Sequence, residues 1–440
     1  MNTPLTCASL IEGGGFYCPD CGRRHDIELK SVVNRRGALE ALPAELAKFG
    51  VKRPFLLADP NTWEAAGRRA AAILDAAGIS YACHIFGEGK PAPDEHTVGE
   101  AVLFYDPSCD GIVGIGGGVV NDTAKILANT ARVPYLYAAT APSMDGYASP
   151  TSSMERAGLK VSVNSLSPVS ILLDTDVLAA APRWMILSGY GDMAAKYVSL
   201  CEWRIAQILL GEYYCPQVAQ MMRDSLDAVS ANIEGALAGD PDAAGVLAEG
   251  LVLAGLAMRC ANVSRPASGM EHYVSHIRDM RSLAFGTPAE LHGIQCGAAA
   301  VEVIRVYERL RTITPDAAKA KAAAQSFSWE EHAEYLRRSV GAGAEAMIAG
   351  EAKEHKYDPA AHARRLTVIT DRWDELAAEM AKLPDSRELA AFMDRIGFPS
   401  SLAAIGVGDE EKKILFGCAA DIRDKYVLGR LLWDLGETAE

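Results

Sequence analysis

Three histidines and one aspartate have the types and spacing of a divalent-metal site. His272 and His276 are four residues apart in the segment SGMEHYVSH, which places them on one face of a helix. His292 follows in the segment LHGIQCG, and Asp192 ends the segment GYGD. One carboxylate and two imidazoles can hold a divalent ion and leave a position open for substrate. The spacing predicts a metal site and leaves open which two histidines bind the ion.

A glycine-rich turn between a predicted strand and a predicted helix has the chemistry to bind phosphate. The segment GIGGGVVND runs from Gly114 to Asp122. Glycines let backbone N–H groups approach a phosphate closely, and a helix N-terminus favours negative charge. The spacing matches neither G-x-G-x-x-G nor a P-loop. A phosphate site and an ordinary tight turn both remain open.

A second loop, TAPSMDGYAS, extends from Thr140 to Ser149 and is rich in hydroxyl groups. Its side chains, with the one carboxylate of Asp145, suit hydrogen bonding to a nucleotide and a polyol. A plain turn built on Pro142 and the Asp145-Gly146 pair explains the same residues. By itself the composition favours the plain turn.

The amino-terminal segment carries Cys18 and Cys21 in the pattern C-P-D-C, followed by His25. These residues, with Cys7, could form a small zinc knuckle, but the second CxxC pair of a full zinc ribbon is missing from the sequence. Most of the ten cysteines lie singly in apolar segments. That usage predicts reduced thiols and a cytoplasmic protein, not a disulfide framework.

Alternating strand and helix patterns must position the two loops. The strand RPFLLAD ends at Asp59, and the next helix is predicted to begin with Asn61 or Thr62 as its N-cap. The alternation predicts an α/β domain with a mostly parallel, nucleotide-binding sheet, followed by an all-helical domain. The predicted organisation is a Cys-rich extension (1–31), a dinucleotide-binding domain (32–178) and a helical metal- and substrate-binding domain (179–440).

Composition limits the function classes. The 440 residues include 43 basic and 57 acidic side chains, for a net charge of −14, and 49% are hydrophobic. This is the composition of a globular protein of about two domains. The negative charge argues against nonspecific binding of nucleic acid or of an anionic membrane. We expect no bilayer-spanning stretch and no signal peptide.

Five motifs, taken in order, resemble a known family. They are GIGGGVVNDTAK, TAPSMDGYAS, GYGDMAAKY, SGMEHYVSH and HGIQCG. Together they are similar to the glycerol-1-phosphate dehydrogenases, and the Cys-rich amino-terminal segment and the length of the helical tail resemble the bacterial branch. That family belongs to the wider group of iron-containing alcohol dehydrogenases, glycerol dehydrogenases and dehydroquinate synthases. The resemblance covers the chain from about Val32 to His292 and implies a dehydroquinate synthase-like fold.

The resemblance also implies roles for individual residues. Asp192, His272 and His292 would hold the metal, while Asp145, Asp192 and His276 would meet the substrate, with Asp192 and His276 as catalytic residues. The implied cofactor contacts are Asp59, Gly116, Gly117, Gly118, Val119, Val120, Thr140, Ala141, Pro142, Ser143 and Ser149. An acidic residue at position 59 would bind ribose hydroxyls and repel a 2′-phosphate, which gives a weak preference for NAD over NADP.

The implied activity is the reversible, NAD(P)-dependent reduction of dihydroxyacetone phosphate to sn-glycerol 1-phosphate, which supplies lipid synthesis. The resemblance implies a homodimer, without a nucleic-acid partner, and one divalent metal, which can be zinc, nickel or iron because all three accept such ligands. Candidates for binding the substrate phosphate are Arg265, Lys196 and Arg278, and the sequence does not rank them.

Four alternatives remain at this point. A glycerol dehydrogenase acting on an unphosphorylated polyol would share the fold, the metal ligands and the cofactor loop. A dehydroquinate synthase-like lyase would also share the fold but use NAD only transiently. A metal-dependent hydrolase would use the Asp/His set without any nicotinamide. A noncatalytic helical scaffold would leave the clustered Gly, Asp and His motifs unexplained.

Overall fold

The computed structural model describes residues 5–87, 89, 91–156 and 159–439. Contacts group the chain into two compact units. The first unit comprises Met1–Ala157, Val161–Met193 and Pro216–Val263, and the second comprises Gly158–Lys160, Ala194–Cys215 and Ser264–Glu440. The predicted domain boundary at residue 178 stays a prediction, and the first unit also includes the segment 216–263.

The strands are β1 (Gly15–Cys18), β2 (Arg23–Asp26), β3 (Ser31–Arg35), β4 (Pro54–Ala58), β5 (Ala82–Ile85), β6 (Gly111–Gly116), β7 (Tyr135–Ala139), β8 (Thr151–Arg156), β9 (Leu159–Asn164) and β10 (Ser170–Asp174). β1 pairs with β2 and β8 pairs with β9, each in a two-stranded sheet. The other six form one sheet in the order β3-β10-β7-β6-β4-β5.

The helices are α1 (Cys7–Gly13), α2 (Leu42–Lys48), α3 (Pro60–Thr62), α4 (Arg68–Ala76), α5 (Glu95–Phe104), α6 (Gly118–Ala131), α7 (Thr175–Ala179), α8 (Arg183–Ala194), α9 (Lys196–Leu210), α10 (Pro216–Leu237), α11 (Pro241–Ala261), α12 (Met270–Phe285), α13 (His292–Leu310), α14 (Ala317–Ser326), α15 (Trp329–Val340), α16 (Ala344–Glu354), α17 (Pro359–Asp371), α18 (Trp373–Met380), α19 (Ser386–Arg395), α20 (Asp409–Ala419) and α21 (Leu428–Leu435). A π-helical turn, Trp63–Gly67, joins α3 to α4.

Every pairing in the six-stranded sheet is parallel. β4, β6, β7 and β10 are buried at every residue, as expected for a sheet with both faces covered. This confirms the predicted parallel sheet. The carboxyl ends of parallel strands meet at one edge, so Asp59, Gly117 and Thr140, which directly follow β4, β6 and β7, are brought to the same edge.

The helix after β4 is capped by a residue other than the predicted ones. The Asp59 carboxylate is the N-cap and accepts hydrogen bonds from the amides of Asn61 (2.8 Å) and Thr62 (2.9 Å). The Thr62 hydroxyl accepts one from the Asp59 amide (3.0 Å), which completes a capping box. The prediction of Asn61 or Thr62 as N-cap is therefore wrong. The physical reason is Pro60, whose fixed φ suits the first helical position and leaves Asp59 as the cap.

Helix α11 corrects the expectation that no stretch is long and apolar enough to span a bilayer. The helix has 21 residues and passes that test by length and composition, since an 18-residue window within it has a mean hydropathy of 1.5. However, 78% of the apolar window is buried within the protein. An apolar helix in a protein core has the same composition as a membrane span, because both are surrounded by apolar groups.

The second unit confirms the predicted helical carboxy-terminal region. Beyond the first residues of β9, its described residues form helices and the segments that connect them. α12 packs against α13 and α20. This packing fixes the helix that carries the two histidines of the SGMEHYVSH motif.

In the first unit, α8 lies directly against the loop that follows β7. The Ser188 hydroxyl donates to the carbonyl oxygen of Ser143 (2.9 Å), and the Asp145 amide donates to Oδ2 of Asp192 (3.0 Å). Between these contacts, a Cβ at Gly189 would lie 1.9 Å from the Pro142 carbonyl oxygen. Only glycine lets the helix approach the loop backbone this closely.

We therefore expect Gly189→Ala to destabilise the protein by about 1–3 kcal/mol, because the added methyl group meets a backbone oxygen that cannot rotate away. Urea or thermal unfolding measures the change. Gly99→Ala in α5 is the matched control, since nothing lies within 4 Å of its added Cβ, and it should stabilise by about 0.5–1 kcal/mol. Wild-type stability in Gly189→Ala would contradict the close approach.

Candidate functional site

The glycine turn places the N-terminus of α6 directly after β6. Gly117 is the N-cap, and the amide of Asn121 makes the first backbone bond to it (3.0 Å). The amides of Gly118, Val119 and Val120 therefore have no acceptor within the helix and are available to an anion. A Cβ at Gly116 would lie 2.5 Å from that of Val120, so this glycine is required for the turn.

A buried lysine holds the second loop against α6. Lys125 has no exposed surface, and its ammonium group donates to the carbonyl oxygens of Gly146 (2.6 Å) and Thr151 (3.1 Å). Burial lowers the pKa of Lys125, while the carboxylate of Asp122, 3.3 Å away, raises it. Lys125 is not among the residues predicted from the sequence. The sequence feature that could have identified it is a charged residue inside the otherwise apolar segment AKILA.

The predicted cofactor residues of this loop divide into two groups. The Thr140 amide donates to the Gly116 carbonyl oxygen (3.1 Å), so the loop begins beside the glycine turn. Thr140, Ala141 and Pro142 are buried there, and Ser143 is half-buried. The Ser149 hydroxyl instead contacts the hydroxyl of Thr151 (2.9 Å). The start of the loop therefore lies beside the glycine turn. The Ser149 hydroxyl group, in contrast, contacts a residue two positions further along the chain.

In the second unit, α12 and α13 bring the three predicted histidines together. The ring centroid of His292 lies 5.0 Å from that of His272 and 5.7 Å from that of His276. The ligand atoms of His272, His292 and Cys296 all lie within 4.8 Å of one another, as do those of His276, Asp279 and His292. Imidazole and thiolate donors at this separation fit a zinc, nickel or iron(II) ion.

Glu271 orients the His272 ring. Nδ1 of His272 lies 2.7 Å from Oε1 of Glu271 and donates its proton to the carboxylate. The same oxygen accepts the Gly269 amide (2.8 Å). This contact leaves Nε2 of His272 as the ligand atom, which is the usual arrangement around metal-binding histidines.

A second buried carboxylate, Glu202, fixes the start of α12. It accepts the amides of Met270 (2.9 Å) and Leu428 (2.8 Å) and the hydroxyl of Tyr307 (3.0 Å). Burial, with the nearby charge of Glu271, raises the pKa of Glu202 to about 8. Glu202 is not among the residues predicted from the sequence, because it lies 68 positions before Met270 and no local pattern marks it.

His276 differs from the other two histidines. Burial lowers its pKa well below the usual value, and the positive charge of Arg423 lowers it further. The imidazole is therefore neutral at pH 7. Its Nδ1 atom has no hydrogen-bond partner among the residues that the structure describes.

His292 is held by its own helix and by α12. Its Nδ1 lies 3.3 Å from the Ser275 hydroxyl, which in turn accepts the Gln295 amide group (3.0 Å). Cys296 lies one helical turn further, with Sγ 3.6 Å from Nε2 of His292. Cys296 is not among the residues predicted from the sequence, although its spacing of four from His292 predicts a common helix face.

The three candidates for binding the substrate phosphate differ in their contacts. The Arg265 guanidinium is bidentate to Glu212 (2.6 and 2.9 Å), so its charge is neutralised by that carboxylate. Arg278 donates to the carbonyl oxygens of Pro288 and Ile405, and its buried Nη1 has no partner among the described residues. Lys196 is fully buried. These contacts make Arg278 a better candidate than Arg265 for binding the substrate phosphate.

Asp192 lies in the first unit, whereas the three histidines lie in the second. The aspartate is fully buried, and its Oδ2 accepts the Asp145 amide. Within the first unit, carboxylate oxygens of Asp145 and Asp192 also lie within 4.8 Å of each other. The assignment of Asp192 to the same metal ion as the histidines stays a prediction.

Comparisons with known proteins agree with this architecture. The family model described as iron-containing alcohol dehydrogenase matches residues 33–182. A glycerol-1-phosphate dehydrogenase [NAD(P)+] from Halalkalibacterium halodurans is 32% identical over 293 residues, which cover 66% of this chain and 73% of the relative. The chain belongs to the glycerol-1-phosphate dehydrogenase family. The expectation drawn from the five motifs is confirmed.

A relative of the same name from Bacillus licheniformis is 28% identical over 411 residues, covering 92% of this chain and 90% of the relative. Among solved structures, a probable glycerol dehydrogenase from Sinorhizobium meliloti aligns with a TM-score of 0.60 at 17% identity. That alignment covers 92% of this chain and 96% of the other. This likeness shows the fold, and it confirms the predicted dehydroquinate synthase-like class.

The contact between Glu271 and His272 gives a prediction for metal affinity. Glu271→Ala should weaken binding about 10–100-fold, because nothing then fixes the ring with Nε2 exposed to the ion. Glu271→Gln, which keeps an acceptor oxygen, should lose less metal affinity than Glu271→Ala. A chelator-competition titration measures both variants.

The matched control for this titration is Glu302→Gln on α13. Glu302 is also a buried acid, but it pairs with Lys412 (2.7 Å), so this variant should keep the wild-type affinity. If Glu271→Ala binds the metal as tightly as the wild-type protein, Glu271 does not position His272 for the metal.

Proposed function

We propose that the protein reduces dihydroxyacetone phosphate to sn-glycerol 1-phosphate with NADH or NADPH at a divalent metal ion. The observation that carries this proposal is membership of the family, since the curated relatives are named glycerol-1-phosphate dehydrogenase [NAD(P)+]. The clustered histidines of the second unit and the glycine turn of the first support it independently.

The first turn of α6 is the proposed pyrophosphate site. The amides of Gly118, Val119 and Val120 are available to an anion, and the positive end of the helix dipole favours its charge. Asp59 follows the neighbouring strand and uses Oδ1 for helix capping. Its second oxygen, Oδ2, is the proposed acceptor for the ribose hydroxyls. The bound nicotinamide supplies the hydride.

Asp192, His272 and His292 are the proposed metal ligands. A divalent ion bound by them supplies Lewis-acid polarisation of the C2 carbonyl group. Glu271 keeps His272 in the tautomer that a metal ligand needs. Zinc, nickel and iron(II) all suit this donor set.

His276 is proposed to contact the substrate and to pass a proton to the C2 oxygen. Its Nδ1 atom, which has no hydrogen-bond partner among the described residues, is the ring nitrogen proposed to bind a substrate hydroxyl group. Asp145 and Asp192 are the further substrate contacts, and the open Nη1 of Arg278 is the proposed phosphate donor. We further propose a cytoplasmic homodimer whose product supplies phospholipid synthesis.

The assay that tests this function follows NADH oxidation with dihydroxyacetone phosphate and, in parallel, with free dihydroxyacetone. We expect turnover that requires the phosphate, disappears on chelation and returns with zinc or nickel. Turnover on the unphosphorylated ketone alone would make the protein a glycerol dehydrogenase. If metal-loaded protein consumes no NADH with either ketone, the proposal fails.

Asp59→Ser tests the ribose site. Removing the carboxylate removes a repulsion of about 1 kcal/mol at 4 Å in water, so the ratio of kcat/KM for NADPH to that for NADH should rise ~5-fold. Serine keeps the helix cap. Asp94→Ser is the control, because Asp94 also caps a helix, α5, by accepting an amide (2.9 Å). An unchanged cofactor ratio in Asp59→Ser would exclude Asp59 from the ribose site.

A further inference from the structure

The amino-terminal hairpin carries two thiols and an imidazole that the proposed reaction does not use. β1 and β2 pair antiparallel, with Phe16 opposite His25. Cys18 ends β1, and Cys21 lies in the turn that follows it. The turn closes by a bond from the Gly22 amide to the Cys18 carbonyl oxygen (2.9 Å), with Gly22 at φ +68°. The left-handed glycine closes the turn between Cys18 and the second strand, which carries His25.

The three side chains have the separation of metal ligands. The sulfur atoms of Cys18 and Cys21 and a ring nitrogen of His25 all lie within 4.8 Å of one another. Sγ of Cys21 is 3.4 Å from Nε2 of His25. In a tetrahedral zinc site, Zn–S and Zn–N bonds of about 2.3 and 2.0 Å place neighbouring donors about 3.5–3.8 Å apart. The hairpin is already near that geometry.

The orientation of His25 is fixed from its other side. Nδ1 lies 2.6 Å from the carbonyl oxygen of Cys260 in α11 and donates its proton there. Phe16 stacks on the ring at 4.6 Å between centroids. The ring is 98% buried, since only 2% of the residue is exposed. A donated Nδ1 proton leaves the lone pair of Nε2 directed toward Cys21, which is how proteins prepare a histidine for a metal.

We propose that Cys18, Cys21 and His25 bind a structural zinc ion. Thiolate and imidazole together favour zinc over magnesium or calcium, which prefer oxygen ligands. The ion would join the two strands of the hairpin and, through His25 and the Cys260 carbonyl group, fix the hairpin to α11. Another thiol of the chain or a water molecule would take the fourth position. This site is separate from the proposed catalytic metal and does not depend on it.

The test measures zinc and total divalent metal per chain by elemental analysis of the full-length protein. Wild-type protein should hold the hairpin zinc in addition to the catalytic ion. Cys21→Ser should lose one equivalent of zinc and keep the catalytic ion, whereas His292→Ala should do the reverse. Cys83→Ser, which changes an exposed thiol on β5, should keep both ions. Equal zinc content in Cys21→Ser and wild type would overturn the proposal.

A rescue distinguishes metal binding from a packing role of His25. Zinc accepts either imidazole or thiolate, so His25→Cys should keep the ion that His25→Ala loses. Cobalt substitution in a Cys296→Ser background gives a spectroscopic readout. Thiolate-to-cobalt charge transfer should appear in that background and vanish on adding Cys21→Ser. If the cobalt-substituted Cys296→Ser protein shows no charge-transfer band, the proposed hairpin site is contradicted.

Wild-type protein provides a measurement for the case in which the cysteine variants do not fold. Titrating the native thiols with an organic mercurial should release zinc in proportion to the thiols modified, detected with a chromogenic chelator. The Cys296→Ser protein should release the same amount, because the hairpin thiols are intact. No zinc released from wild-type protein would overturn the proposal.

Discussion

The parallel pairing of β4, β6 and β7 is the constraint on which the first unit depends. It brings the residues after three separate strands to one edge, although Asp59 and Thr140 are far apart in the chain. Parallel strands need long crossover connections, so each turn at this edge opens into a helix or into the loop against α8. That topology places the N-terminus of α6, whose first amides have no acceptor within the helix, at the same edge as Asp59 and Thr140.

The second unit depends on buried, hydrogen-bonded polar groups instead of strand pairing. Glu202 and Glu271 are fully buried beside the start of α12, and leaving either without hydrogen bonds would cost several kcal/mol. Backbone amides and the Tyr307 hydroxyl satisfy Glu202. The Lys425 ammonium group donates to the Ser268 carbonyl oxygen (2.8 Å) nearby, and burial lowers its pKa to about 7. The hydrogen bonds of these buried polar groups thus hold the start of α12 in a defined position.

Local patterns predicted much of this protein correctly. The alternation of apolar strands with amphipathic helices predicted the parallel sheet, since both periodicities are properties of short segments. The spacing of His272 and His276 predicted a common helix face for the same reason. Local reasoning was wrong at Asp59, where Pro60 moved the cap. It was also wrong at α11, where composition cannot distinguish a protein core from a bilayer.

The sequence by itself determined the fold class, the family and the candidate ligands, because each is encoded in residue types at short spacing. Only the tertiary structure decided that Glu271 and Glu202 hold the start of α12 and that Lys125 holds the loop that follows β7. It alone showed that His25 is oriented by a carbonyl oxygen 235 positions away. These contacts join residues with no common local pattern, and a buried polar group is bonded by whichever partner the packed chain brings within reach.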